Sequence, residues 1–253
     1  MAEPFDTTPA SSLRGLQAAV IDGIGRSIVG GKFSPGNFLP TEPELGAEYQ
    51  VSRTSVREAM RVLSAKGLVE IRQKVGTRVK DPDYWNIFDS DILRWHHEEG
   101  RGTAVMKELS ELRQILEPAA AKLAAGRASI DDHRRLKSAI TAMEESVGSL
   151  EGYARADLEF HLAVYSASHN SLMRQFGSVV ADFLRRAFTL QQKVVGEPDA
   201  LLVDVQIHNA VYEAINRGEG EEAAQAMLHV VLEGKNALIQ ALETKPKTSS
   251  KSK

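Results

Sequence analysis

Leu16, Val20, Ile24 and Ile28 recur every fourth residue, which predicts an amphipathic helix ending near Gly30-Gly31. Pro35-Gly36 supplies a turn, and Thr41 with Glu44 reads as a capping box opening a second helix, with Pro43 tolerated in its first turn. Leu45 and Tyr49 form the inner face of that helix. A third helix starts after Ser52, runs through Val56, Met60 and Leu63 to about Lys66, and stops at Gly67. Leu68 to Arg72 then alternates like a strand, and Thr77-Arg78-Val79 follows Gly76 as a second one. Three helices and a hairpin describe a winged helix-turn-helix over 13–80.

Asp81-Pro82-Asp83 breaks this pattern, and 81–103 reads as a linker with Tyr84, Trp85, Phe88 and Trp95 as aromatic anchors. Beyond it the periodicity is helical throughout. Helices are expected near 104–126, 129–148, 151–168, 171–193, 199–217 and 219–243, with Ser129 and Asp132 forming another capping box. The fold class is therefore mainly α: a winged helix-turn-helix with a small β-hairpin, then an all-α bundle over 104–243. The ends, 1–12 and 244–253, are polar and read as a disordered arm and tail.

Composition narrows the chemistry. The chain has no cysteine, which excludes disulfides, thiolate nucleophiles and Cys-based zinc sites. No apolar run approaches the ~20 residues of a membrane span, so no membrane partner is expected, and the lack of cysteine suits a reducing cytoplasm as the expected compartment. Net charge is −3, yet Val51 to Lys80 holds eight basic residues and two acids, a local +6 that leaves −9 for the remainder. A basic patch on an acidic chain suits a localised contact with a polyanion, or else a solvated surface.

The third helix carries what base recognition needs. Arg53 and Arg57 are four apart and share a face, and an Arg fork matches guanine O6 and N7. Ser52, Thr54 and Ser55 can bond phosphates at the helix N-terminus, and Gly76 either lets the hairpin backbone approach DNA or only satisfies a turn. The stretch from Gly31 to Val79, with its PG-x-x-LP, SR-x-x-VREA and GT-x-V motifs, resembles the DNA-binding domain of the GntR family over about Leu16 to Val79. The resemblance implies DNA contacts at Arg53, Thr54, Arg57 and Gly76. It departs at Pro43, where many members have an operator-contacting Arg.

In the second domain Asp157 and His161 are four apart on a helix whose apolar stripe includes Phe160 and Val164. His208 lies among Leu201, Val205, Tyr212 and Ile215. All three face the bundle interior, where they form either a divalent-metal site or an Asp157–His161 hydrogen bond beside a separate core histidine. The all-helical domain is similar to the FCD ligand domain of the FadR subfamily, which commonly holds a metal on one Asp and three His and binds small carboxylic acids against it. That resemblance implies Asp157, His161 and His208 as ligands, with zinc first and nickel or manganese as alternatives. The family's fourth ligand falls at Val230, so His229 is carried as a fourth candidate although a wheel centred on Met227, Val231, Leu238 and Leu242 puts it nearly opposite the buried stripe. Water or the effector's carboxylate could complete a three-residue site.

Arg113 is a candidate clamp for an acidic effector, or the partner of Glu117 one helical turn on. Asn170 either orients the site or shapes the turn. The segment DYWNIFDSDILRWH resembles sugar-acid regulators and so implies a sugar-acid effector. The expected protein is a homodimeric, effector-controlled repressor that binds pseudo-palindromic operator DNA. The alternative is an enzyme with a catalytic metal at Asp157, His161 and His208, for which the chain offers no HExxH, nucleophile or phosphate-loop motif.

Overall fold

The computed structural model describes residues 15–191 and 198–243, and the chain divides into two compact units, Met1–Val105 and Met106–Lys253. The expected arm 1–12 and tail 244–253 lie outside the described residues.

In the first unit α1 (Leu16–Val29), α2 (Glu42–Glu48) and α3 (Arg53–Ala65) precede an antiparallel hairpin of β1 (Val69–Arg72) and β2 (Gly76–Val79). The local chemistry sets the helix starts. Glu44 reaches back to the Thr41 backbone N–H at 2.7 Å, closing the capping box that opens α2. Ser52 accepts from the Ser55 N–H at 3.1 Å and starts α3. The register pairs Val69 with Val79 and Arg72 with Gly76, and Phe38 bridges to Arg78 as a third element of the wing. Val20, Ile24, Ile28, Leu45, Val56, Met60, Leu63, Leu68 and Val79 form one buried core.

The segment 81–103 differs from the expected plain linker. After a 3₁₀ turn at Pro82–Tyr84, Asp89 caps α4 (Ser90–Glu98), whose Ile92 and Trp95 join the same core. Trp95 is fully buried and its Nε1–H donates to Asp22 Oδ1 at 2.9 Å, while Tyr84 and Phe88 are exposed. Lys66, closing α3, is tied to Asp89 and Asp91 at 2.8 and 2.9 Å. A helix of nine residues presents too few turns for its period to stand out. The Trp95 ring is seated on α1 at Gly25, where an added Cβ would lie 2.3 Å from its Cη2 atom. Gly25→Ala should therefore lower stability by about 1–3 kcal/mol through overpacking. Urea unfolding checks this, and an unchanged midpoint would mean that Trp95 is not seated there.

The second unit is a helical bundle. Its helices are α5 (Gly102–Arg127, beginning just before the division), α6 (Ile130–Glu145), α7 (Leu150–Ala167), α8 (Ser171–Gln191), α9 (Pro198–Arg217) and α10 (Gly220–Glu243). Over the described residues they follow the six expected spans closely, and 192–193, the expected end of the fourth, lie outside those residues. Ser129 and Asp132 form the capping box of α6, with the Ser129 N–H donating to Asp132 Oδ2 at 2.9 Å. Among the packed pairs, α6 lies against α7 and α9, α7 against α8, and α10 against α8 and α9. Among the described residues no helix is long and apolar enough to cross a membrane.

Candidate recognition helix and metal-effector cavity

On the first unit, Arg53 and Thr54 occupy the first two positions of α3 and are exposed, and Arg57 follows one turn on. Arg57 is held by Glu42 through Nε–Oε1 at 3.2 Å and Nη2–Oε2 at 2.9 Å, with 59% of its side chain exposed. The pair aims the guanidinium from the face of α3 that carries Arg53. In the wing, Gly76 has φ +127°, a region that L side chains rarely adopt, and its Cα faces the exposed Phe38 ring. Turn geometry alone thus demands glycine there.

In the second unit, α7 and α9 bring three ligand-type side chains together. Asp157, His161 and His208 are all buried, and one ligand atom from each lies within 4.8 Å of the others. His208 Nε2 is 3.1 Å from Asp157 Oδ1, and His161 Nε2 is 3.7 Å from it. On the opposite side His208 Nδ1 bonds the Asp204 carbonyl at 2.7 Å, and His161 Nδ1 lies beside Glu117 Oε2, 2.7 Å away. In the neutral His208 ring an Nδ1–H donated to the carbonyl leaves the Nε2 lone pair facing the cluster, the arrangement a metal-ligating imidazole requires, and the carboxylate beside His161 Nδ1 favours the same tautomer there.

The donor set fits a divalent ion. Asp157 Oδ2 is buried without a hydrogen-bond partner, and His208 Nε2, although 3.1 Å from Asp157 Oδ1, makes no well-formed hydrogen bond, an expensive state for buried polar atoms. Burial works against charge at His208, yet the Asp204 and Asp157 carboxylates raise its pKa to about 9. The negative field that holds a proton there would equally hold a cation.

Above the cluster opens a cavity of about 230 Å³ whose wall includes Arg113, Phe183, Leu201 and Val230. Arg113 is buried, bonds through Nε to Glu117, and stacks 4.9 Å from the centre of the Phe183 ring. Burial pushes the Glu117 carboxyl up, but Arg113 and His161 pull it down to about 2, so it stays ionised. The Arg113–Glu117 ion pair and a place for Arg113 on the cavity wall are thus both present.

Two expected site residues fall elsewhere. His229 is exposed on α10, and Val230, one residue and about 100° further round, faces the cavity instead. Asn170 does not line the cavity. Its Oδ1 accepts from the N–H groups of Leu172 and Met173 at 3.0 and 3.3 Å, which makes it the cap of α8. Conversely, Tyr153, Asp204 and Glu233 line the cavity and were not singled out from the sequence, although Tyr153 and Asp204 each stand four residues before a ligand-type residue.

A basic recognition helix with a wing, joined to a helical unit enclosing a polar cavity, defines a ligand-responsive DNA-binding protein. The family model for "Bacterial regulatory proteins, gntR family" matches residues 16–79, and that for the FCD domain matches 108–232. The galactonate operon transcriptional repressor of Escherichia coli K12 is 33% identical over 82% of this chain and 90% of its own length. The HTH-type transcriptional regulator LutR of Bacillus subtilis 168 is 32% identical over 79% of this chain and 91% of its own. A solved structure of Lar, described as controlling expression of the Listeria monocytogenes agr system, aligns with a TM-score of 0.60 at 21% identity, over 93% of this chain and all of that one. The chain belongs to the gntR family of bacterial regulatory proteins and carries an FCD domain. It is a DNA-binding transcription regulator and not an enzyme.

Proposed function

We propose that the chain is a homodimeric repressor whose hold on operator DNA is controlled by a sugar acid or related small carboxylate, bound in the α7–α9 cavity against a divalent metal. The observation that carries this reading is the buried Asp157, His161 and His208 cluster, with its unpartnered Asp157 Oδ2, opening into a cavity walled by Arg113. The relative that represses a galactonate operon supports the choice of a sugar acid.

Asp157, His161 and His208 would hold the ion, and zinc, nickel and manganese all accept such ligands. The ion supplies a Lewis-acid site for an effector carboxylate oxygen. Arg113 adds charge-assisted donors from the same wall, with Glu117 fixing its orientation. Glu117 and the Asp204 carbonyl orient His161 and His208, and Phe183, Leu201 and Val230 keep water from the pocket. With Val230 where the family has a fourth ligand, water or the effector's own carboxylate would complete the set. On the DNA side, Arg53 and Arg57 read base edges, Thr54 bonds phosphate, and the wing approaches the backbone at Gly76. Two protomers place two such helices on a pseudo-palindromic site, and effector binding shifts the population away from the spacing that fits it. The cytoplasm, where the operator is, is the compartment this requires.

Metal analysis of the purified protein with a thermal-shift titration tests the reading. Expected are a bound divalent ion and a rise in melting temperature with galactonate that chelation abolishes. Metal-free protein, indifferent to chelator and to acids, would reduce Asp157, His161 and His208 to structural residues.

A further inference from the structure

The cavity holds a second polar rung that the metal cluster does not use. On α7, Tyr153, Asp157 and His161 follow at four-residue intervals, and Asp204 and His208 do the same on α9. The Tyr153 hydroxyl donates to Asp204 Oδ2 at 2.5 Å, as Asp157 faces His208 at 3.1 Å. The two rungs therefore join the helices in the same order, separated by four residues, or about 6 Å along the axis at the helical rise.

Asp204 stands outside the group of mutually close ligand atoms. Its backbone carbonyl, at 2.7 Å, is what orients His208, while its carboxylate is 3.5 Å from the same nitrogen. The side chain is 30% exposed and lies on the cavity wall. Tyr153 thus pins one carboxylate oxygen and leaves acceptor capacity toward the cavity.

Charge on the wall is divided accordingly. Among the described residues Arg113 is its one lysine- or arginine-type residue and is already paired with Glu117, whereas Asp204 and Glu233 add two carboxylates away from the metal cluster. One ligand carboxylate can be met at the Asp157–His161–His208 end. A second would meet Asp204 and Glu233, which offer acceptors and like charge but no donor. A hydroxyl group, by contrast, can donate to Asp204.

We propose that Asp204, positioned by Tyr153, is the hydroxyl-reading residue of the effector site, and that the effector is a monocarboxylic polyhydroxy acid long enough to span both rungs. This rests on the reading of the cavity as the effector site. It selects six-carbon aldonates over the matching dicarboxylates, which carry a second carboxylate at the Asp204 end, and over three-carbon hydroxy acids, which are too short.

The test is calorimetric titration of metal-loaded full-length protein with galactonate, gluconate and mannonate, with galactarate and glucarate, and with glycerate. Zinc affinity is measured in parallel by chelator competition. In the wild type at least one aldonate should bind about tenfold or more tighter than its aldarate and than glycerate. Asp204→Asn should weaken that aldonate by about tenfold or more and narrow the gap to the aldarate, because an amide removes the like charge and supplies a donor. Tyr153→Phe should weaken the aldonate by a smaller factor, and zinc affinity should stay unchanged in both variants. Aldarate binding as tightly as aldonate in the wild type, or unaltered aldonate affinity in Asp204→Asn, overturns the proposal while leaving the effector cavity intact. A parallel loss of zinc affinity overturns it too, making Asp204 a support of the metal ligands. If no acid of the panel binds the wild type, the effector-cavity reading falls and this inference falls with it.

Discussion

Arg53→Ala is expected to weaken operator binding by at least about 30-fold at moderate salt while leaving the fold unchanged. Arg53 is the first residue of α3, is exposed, and contributes nothing to the buried core. A bidentate contact to guanine carries roughly 1–3 kcal/mol, and a dimer on two half-sites loses it twice, so specific binding should fall by about 30-fold to 10⁴-fold. Arg57→Ala is the less clean variant, because Arg57 also ties α3 to Glu42 of α2. The measurement is a fluorescence-anisotropy titration of the operator at fixed salt, beside a scrambled duplex. Salt must be fixed because phosphate contacts weaken steeply with ionic strength. Loss on the operator with little change on the scrambled duplex is the signature of a base-reading residue. Equal loss on both would make Arg53 a phosphate contact, and no loss on either would remove α3 from the major groove.

The features legible in the sequence were those whose partners lie within one helical turn. The Thr41–Glu44 and Ser129–Asp132 boxes, the Asp157–His161 spacing and the Arg113–Glu117 pair are all i, i+3 or i, i+4 relations, and each is present in the structure. The inward placement of His208 followed from the same periodicity. What escaped was non-local. Trp95 reads as an anchor in a linker until Asp22, 73 residues earlier, is found bonded to its indole. The Tyr153–Asp204 rung spans 51 residues, and neither member alone has the spacing of a motif. Asn170 illustrates a different limit: the sequence left it either orienting the site or shaping the turn, and the N–H groups at the start of α8 claim its side chain. His229 and Val230 differ by one step on a helix, and the wheel of α10 that put His229 nearly opposite the buried stripe agrees with its exposure, while Val230 faces the cavity.

Glu117→Ala should destabilise the C-terminal unit more than any other single replacement considered. Glu117 is 1% exposed and accepts from Arg113 Nε through Oε1 and from Arg113 Nη2 through Oε2 at 3.4 Å, and Oε2 also lies 2.7 Å from His161 Nδ1. Removing it leaves a fully buried guanidinium without its counter-charge and an imidazole without its orienting acceptor. Breaking a buried pair from one side costs about 3–5 kcal/mol, a large share of the 5–15 kcal/mol that holds a typical domain folded. The companion variant, Arg113→Met with Glu117→Leu, removes both charges and restores apolar volume, and should therefore be milder than Glu117→Ala. Urea unfolding of the three proteins decides the matter. A double variant nearer to wild type than the single one identifies the unpaired charge as the origin of the loss. If Glu117→Ala instead costs under about 1 kcal/mol, as for a solvated surface pair, then water reaches Arg113. The guanidinium would then lack the dry, fixed setting that makes it a clamp for a carboxylate.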